Sequence, residues 1–164
     1  MIKVSGPENK LVYSGKQDDR IYQMEGSTIQ SIAQASTQQA PAANKEERIA
    51  RGKMLYTSIC MACHQPEGQG IPKAFPPVAK SDYLNADPKR AIATVLHGLQ
   101  GKVTVNGETY ESIMPQLGLN DEQVANALTY VYNNWGNNGT EVLPAMVKEV
   151  RATVPPPAAA PGAH

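Results

Sequence analysis

Cys60-Met61-Ala62-Cys63-His64 is the stretch on which the reading of this chain turns. It holds the only two cysteines of the sequence, with a histidine directly behind the second. C-x-x-C-H is the spacing of covalent c-type haem attachment. Two thiols add to the two vinyl groups of the porphyrin, and the adjacent imidazole lies under the ring where it can bind iron. Used in this way, Cys60, Cys63 and His64 hold one covalent haem c and the protein moves electrons. Three other uses compete. A thioredoxin-like pair wants a βαβ setting, whereas residues 44–59 read as helix and turn residues follow the motif. A zinc site needs four ligands, and His97 and His164 would have to join without ligand-like spacing. A plain disulfide across two intervening residues closes a cramped ring.

A haem iron held by one histidine usually takes a sixth ligand, among them Met, His, Tyr or Cys. Met54 and Met61 flank the motif too closely to reach the opposite face, and Met24 and Met146 stand in peripheral segments. Met114 stands in Ser112-Ile113-Met114-Pro115-Gln116-Leu117-Gly118, a Pro/Gly-punctuated loop that can carry a thioether over the ring. Its blander use is filling core space, as most methionines do. His97 is the rival ligand, but it sits inside an apolar helical run.

Composition bounds the rest. Lys plus Arg and Asp plus Glu are both 15 in 164 residues, so no basic arm offers a nucleic-acid footprint. No apolar run approaches the ~20 residues that span a membrane. One Phe and one Trp, beside seven Tyr, make a thin core. A covalent haem would fill much of that gap, and the haem-free chain should fold poorly. Haem attachment of this kind in bacteria takes place outside the cytoplasm, which makes the periplasm the expected location. Met1-Ile2-Lys3-Val4 nevertheless opens without a charged n-region and apolar h-region. The expectation is a replaced signal or a piece of a longer chain.

Four segments follow. Residues 1–24 read as short extended pieces, with Leu11-Val12-Tyr13 as a candidate strand, and 25–43 have the Gln/Ser/Thr/Ala composition of a flexible linker. The main domain is 44–136. Asn44 is a helix N-cap with Glu47 at the capping-box position, and Ile49, Gly52, Tyr56 and Ile59 follow at helical spacing. Asp87-Pro88 starts a second helix, with Ala91, Ile92, Val95, Leu96 and Leu99 on its apolar face. Val103 to Tyr110 alternates around Asn106-Gly107, a hairpin signal read as an insertion or as a flap propping the Met114 loop. Asn120 caps a third helix with Gln123 at its box position. Residues 137–164 hold a short helix from Pro144 and a disordered Pro/Ala tail.

Residues 44–136 resemble a class I cytochrome c. The matching pieces are Gly52-x-x-x-Tyr56, Cys60-x-x-Cys63-His64, Phe75-Pro76-Pro77, Met114-Pro115 and Leu128-Thr129-Tyr130-Val131. The resemblance implies an all-α fold of three to five helices around a covalent haem, here with a small β-hairpin insertion and an extended N-terminal linker. It implies His64 and Met114 as axial ligands, and Pro77 as the residue whose carbonyl accepts from the histidine Nδ1–H. It also implies that the first and last helices cross at Gly52, with Tyr130 as partner.

Ile2-Lys3-Val4-x-Gly6 and Leu11-Val12-Tyr13-x-Gly15-Lys16-x-x-Asp19-x-x-Tyr22 resemble the closing strand and exit segment of copper-containing nitrite reductases with a fused haem c domain. That likeness implies a tether to a cupredoxin-type core and electron delivery to its type 1 copper in denitrification. Nothing in the sequence supplies a complete copper site, so the isolated chain should not reduce nitrite. Two other functions stay open: a stand-alone periplasmic cytochrome c subunit serving another dehydrogenase or oxidase, and a haem enzyme with an open sixth position.

Overall fold

Helix α1 (Lys45–Leu55) begins where the Asn44 side chain accepts from Glu47 N–H at 2.8 Å, as the cap signal predicts. The Glu47 carboxylate turns back to Ala43 N–H rather than to Asn44. In this computed structural model the described residues are Lys3–Val4, Leu11–Val12 and 40–154. Of the expected linker over 25–43, residues 25–39 lie outside them, as do the tail from 155 and most of the tether. Strands β1 (Lys3–Val4) and β2 (Leu11–Val12) pair antiparallel, Lys3 opposite Val12, within a unit that ends at Ala40.

The second unit, from Pro41, is helical. Past α1 the chain does not continue as a regular helix to Ile59. Residues Tyr56–Cys60 form a π-helical turn in which Met61 N–H bonds back to Tyr56 O. It leads into the short helix α2 (Met61–His64), then α3 (Asp82–Ala86), α4 (Pro88–His97), the antiparallel hairpin β3 (Val103–Val105) and β4 (Glu108–Tyr110), α5 (Asp121–Tyr132) and α6 (Pro144–Thr153). Asp87 caps α4 through Lys89 and Arg90 N–H with Pro88 in its first turn, and Asn120 and Gln123 form a complete capping box on α5. Asn106 and Gly107 both have positive φ, which the tight hairpin turn demands.

The core forms where α1 crosses α5. An added Cβ at Gly52 would overlap the Asn126 carbonyl oxygen and stand 2.7 Å from Tyr130 Cβ. Only a residue without a side chain permits that approach. The crossing gathers Tyr56, Tyr130 and Trp135, with ring centroids 5.0–5.5 Å apart. Beside it Arg48, 5% exposed, donates from Nη1 to Glu122 Oε1 and Asn126 Oδ1, both at 3.2 Å.

The core also extends past residue 136. Val142, Val147 and Val150 are fully buried against α4 and α5. Asn137 donates to the carbonyls of Val78 and Val131 at 2.9 Å and accepts from Ser81 N–H and Asn85 Nδ2. A hydrophobic pattern of only two or three valines gave α6 no claim on the core at the sequence level, yet they fill the groove between two helices.

Candidate functional site

The π-helical turn and α2 present Ile59, Cys60, Cys63 and His64 to one cavity. Such turns recur at functional sites because they rephase a helix by one residue. Tyr56 clamps the end of the segment from below, its hydroxyl donating to Gln65 O at 2.7 Å. Burial raises the Tyr56 hydroxyl pKa, and the adjoining Cys60 and Tyr130 push the same way.

Residues 65–79 then fold back over the histidine. Ile71 and Phe75 exchange backbone hydrogen bonds at 2.8 Å, Gly70 N–H donates to His64 O at 2.9 Å, and Val78 and Ala79 N–H both donate to Gly68 O. This closure sets Pro76 O 2.9 Å from His64 Nδ1. The carbonyl partner is thus Pro76, not Pro77 as expected. Both prolines lack an N–H, so the sequence does not distinguish them; the register of the Ile71–Phe75 pairing does. Pro77 lines the cavity instead.

With Nδ1–H donated to Pro76, Nε2 keeps its lone pair for a ligand. Burial lowers the His64 pKa, against the opposing pull of the Pro76 hydrogen bond, so the imidazole is favoured in its neutral, coordinating form. Burial likewise pushes the Cys60 thiol up to about 11, with Cys63 adding to it. Cys60 and Cys63 are not joined to each other as a disulfide. No further His, Cys, Asp or Glu joins Cys60, Cys63 and His64 among the described residues lining this cavity, so the four-ligand zinc alternative lacks its fourth donor there.

Met114 lines the same cavity, brought there from a segment far from the motif in sequence. It is held by two backbone hydrogen bonds to Leu99, each 2.9 Å. Gly98 makes that approach possible: an added Cβ would lie 2.5 Å from Met114 O, and its φ is +76°. His97 does not line the cavity, and its Nε2 is buried without a hydrogen-bond partner. The cavity of about 190 Å³ is otherwise walled by Phe75, Val95, Val105, Leu117, Leu128 and other largely apolar side chains, open at one side. Two thiols, a neutral imidazole and a thioether around an apolar slot suit a flat, covalently held macrocycle.

A family model described as cytochrome c matches residues 49–135, more than half of the chain. This chain belongs to the cytochrome c family. A cytochrome c-552 from Thermus thermophilus is 39% identical over 93 residues, covering 54% of this cytochrome and 70% of that protein. The cytochrome subunit of a fructose dehydrogenase from Gluconobacter japonicus is 34% identical over 110 residues, 62% of this chain but 22% of that subunit. The cytochrome c subunit of a gluconate 2-dehydrogenase from Pantoea cypripedii is 30% identical over 122 residues, 27% of its length. The chain therefore spans about a quarter of these dehydrogenase subunits. The cofactor of the family is covalent haem c, and the protein is an electron-transfer domain. Among the described residues no helix is long and apolar enough to cross a membrane.

Proposed function

We propose that His64 and Met114 are the axial ligands of a haem bound through Cys60 and Cys63, and that the domain carries single electrons for a partner oxidoreductase outside the cytoplasm. The observation that carries this reading is the convergence of all four side chains on one apolar cavity, with His64 Nδ1–H already committed to Pro76. When bound, the haem supplies a one-electron couple whose potential a methionine ligand raises. The protein's part is to hold imidazole and thioether fixed, so that little moves between oxidation states, and to keep water from the slot with apolar walls. Ile71, 39% exposed, and Ile113, 65% exposed, are apolar side chains open to a partner, and transient redox pairs use small interfaces. Met114→Ala is the test. The weak near-infrared sulfur-to-iron band should vanish, and the potential should fall by part of the ~0.8 V span that axial ligands command. An unchanged spectrum and potential would remove Met114 as ligand.

For the partner, the similarity to cytochrome subunits of fructose and gluconate dehydrogenases supports a dehydrogenase; the periplasm is the setting implied by covalent haem attachment. A copper nitrite reductase core is the second reading. It rests on the likeness of residues 1–24, where the paired strands β1 and β2 accord with a strand-forming tether. The coding sequence upstream separates them: a cupredoxin reading frame running into Ile2 supports the second, a secretion signal there the first. Rapid carbon monoxide binding by the reduced native protein would instead favour a haem enzyme with an open sixth position.

A further inference from the structure

Residues 100–113 leave the end of α4 and return to it, and the excursion is fastened at both ends. At its base Leu99 and Met114 exchange their backbone hydrogen bonds. Its tip is also held. Asn106 N–H donates to Asp82 Oδ1 at 2.7 Å, and Asp82 N–H donates to Asn106 Oδ1 at 2.9 Å. This reciprocal pair joins the hairpin turn to the first turn of α3. Between tip and base, Val103 and Val105 wall the haem cavity, and Val105 and Tyr110 are buried.

Two-stranded hairpins are marginal in water unless something anchors them. The segment 111–120 has neither helix nor strand of its own, so the elements flanking Met114 must position it. Tyr110, the last hairpin residue, is four residues from Met114. We propose that the Asp82–Asn106 clasp is a positioning device for Met114: by seating the hairpin against the cavity it limits how often the thioether withdraws from the iron. The proposal rests on Met114 being the ligand.

Three variants test it, with carbon monoxide as the probe of the reduced holoprotein. Asp82→Ala removes one half of the clasp. Asn106→Gly removes the other while keeping a residue suited to positive φ. Asp82→Asn retains an acceptor oxygen. Asp82→Ala and Asn106→Gly should each speed carbon monoxide capture roughly three- to tenfold, the order expected for losing one or two exposed hydrogen bonds from the closed form. Hydrogen exchange of the 103–110 amides should rise alongside. Asp82→Asn should stay near the parent in both. If Met114→Ala abolishes the sulfur-to-iron band while both clasp variants capture carbon monoxide at the parental rate, the clasp proposal fails and the ligand assignment stands. If Met114→Ala leaves the band intact, both fail. A clasp variant with a lowered melting temperature but parental capture rate and hairpin exchange also overturns the proposal, since a purely structural contact would do that.

Discussion

Gly52→Ala tests the helix crossing that supports the site. In an ordinary helix interior this change stabilises by up to ~1 kcal/mol, because Gly loses more backbone entropy than Ala. Here the new methyl would overlap the Asn126 carbonyl oxygen and crowd Asn126 C and Tyr130 Cβ, both at 2.7 Å. Those are atoms of the α5 backbone and the root of a side chain, so no rotamer change relieves them. The helices must part, loosening the Tyr56–Tyr130–Trp135 cluster. Overpacking of a core costs typically ~1–3 kcal/mol and sometimes more; a backbone overlap belongs at the upper end or beyond. After subtracting the helix gain, the variant should lose about 2 kcal/mol or more. At ~4 °C per kcal/mol this is a fall of roughly 8 °C or more in melting temperature. The assay is thermal and guanidinium unfolding of the holoprotein, followed by far-ultraviolet circular dichroism and the Soret band. Met54→Ala, at a position 62% exposed in the same helix, serves as control and should shift stability by less than ~0.5 kcal/mol. A Gly52→Ala protein as stable as the parent, or more so, would refute the close-approach reasoning and leave helix propensity in charge.

Val147→Ala removes two buried methyls from α6, where Val147 has no exposure. It should cost about 2 kcal/mol in guanidinium unfolding, and a null effect would detach α6 from the core. Asn120→Ala breaks the α5 capping box and should lower stability by about 1 kcal/mol in the same assay. Tyr132, fully buried with its hydroxyl on Leu84 O at 2.7 Å, has its pKa raised by burial above the unfolded value near 10. The folded state therefore keeps its proton where the unfolded state loses it. Stability is retained below pH ~10 and falls as pH rises beyond it. Unfolding free energies measured from pH 8 to 11 should decline less steeply in Tyr132→Phe than in the parent; equal slopes would contradict this. Met114→Ala should lose the near-infrared band and lower the potential, as set out above.

Residues 60–64 alone determined that two thiols and an imidazole lie together, because three such groups within one helical turn have little freedom to part. The capping residues Asn44, Asp87 and Asn120 likewise announced three helix starts, since each satisfies orphan N–H groups within three residues of itself. The turn chemistry of Asn106-Gly107 announced the hairpin. All of these are local, and local physics is legible in a string of residues. Three features were decided by the tertiary structure. The choice of Pro76 over Pro77 as the His64 acceptor depends on how the 65–79 loop closes on itself. The membership of Val147 and Val150 in the core depends on a groove between α4 and α5 that neither helix has alone. The presence of Met114 in the cavity with His64 depends on a pairing with Leu99 across fifteen positions and on the space left by Gly98. Long-range contacts of this kind are set by which surfaces meet once the helices pack, and a one-dimensional pattern carries that information only in aggregate.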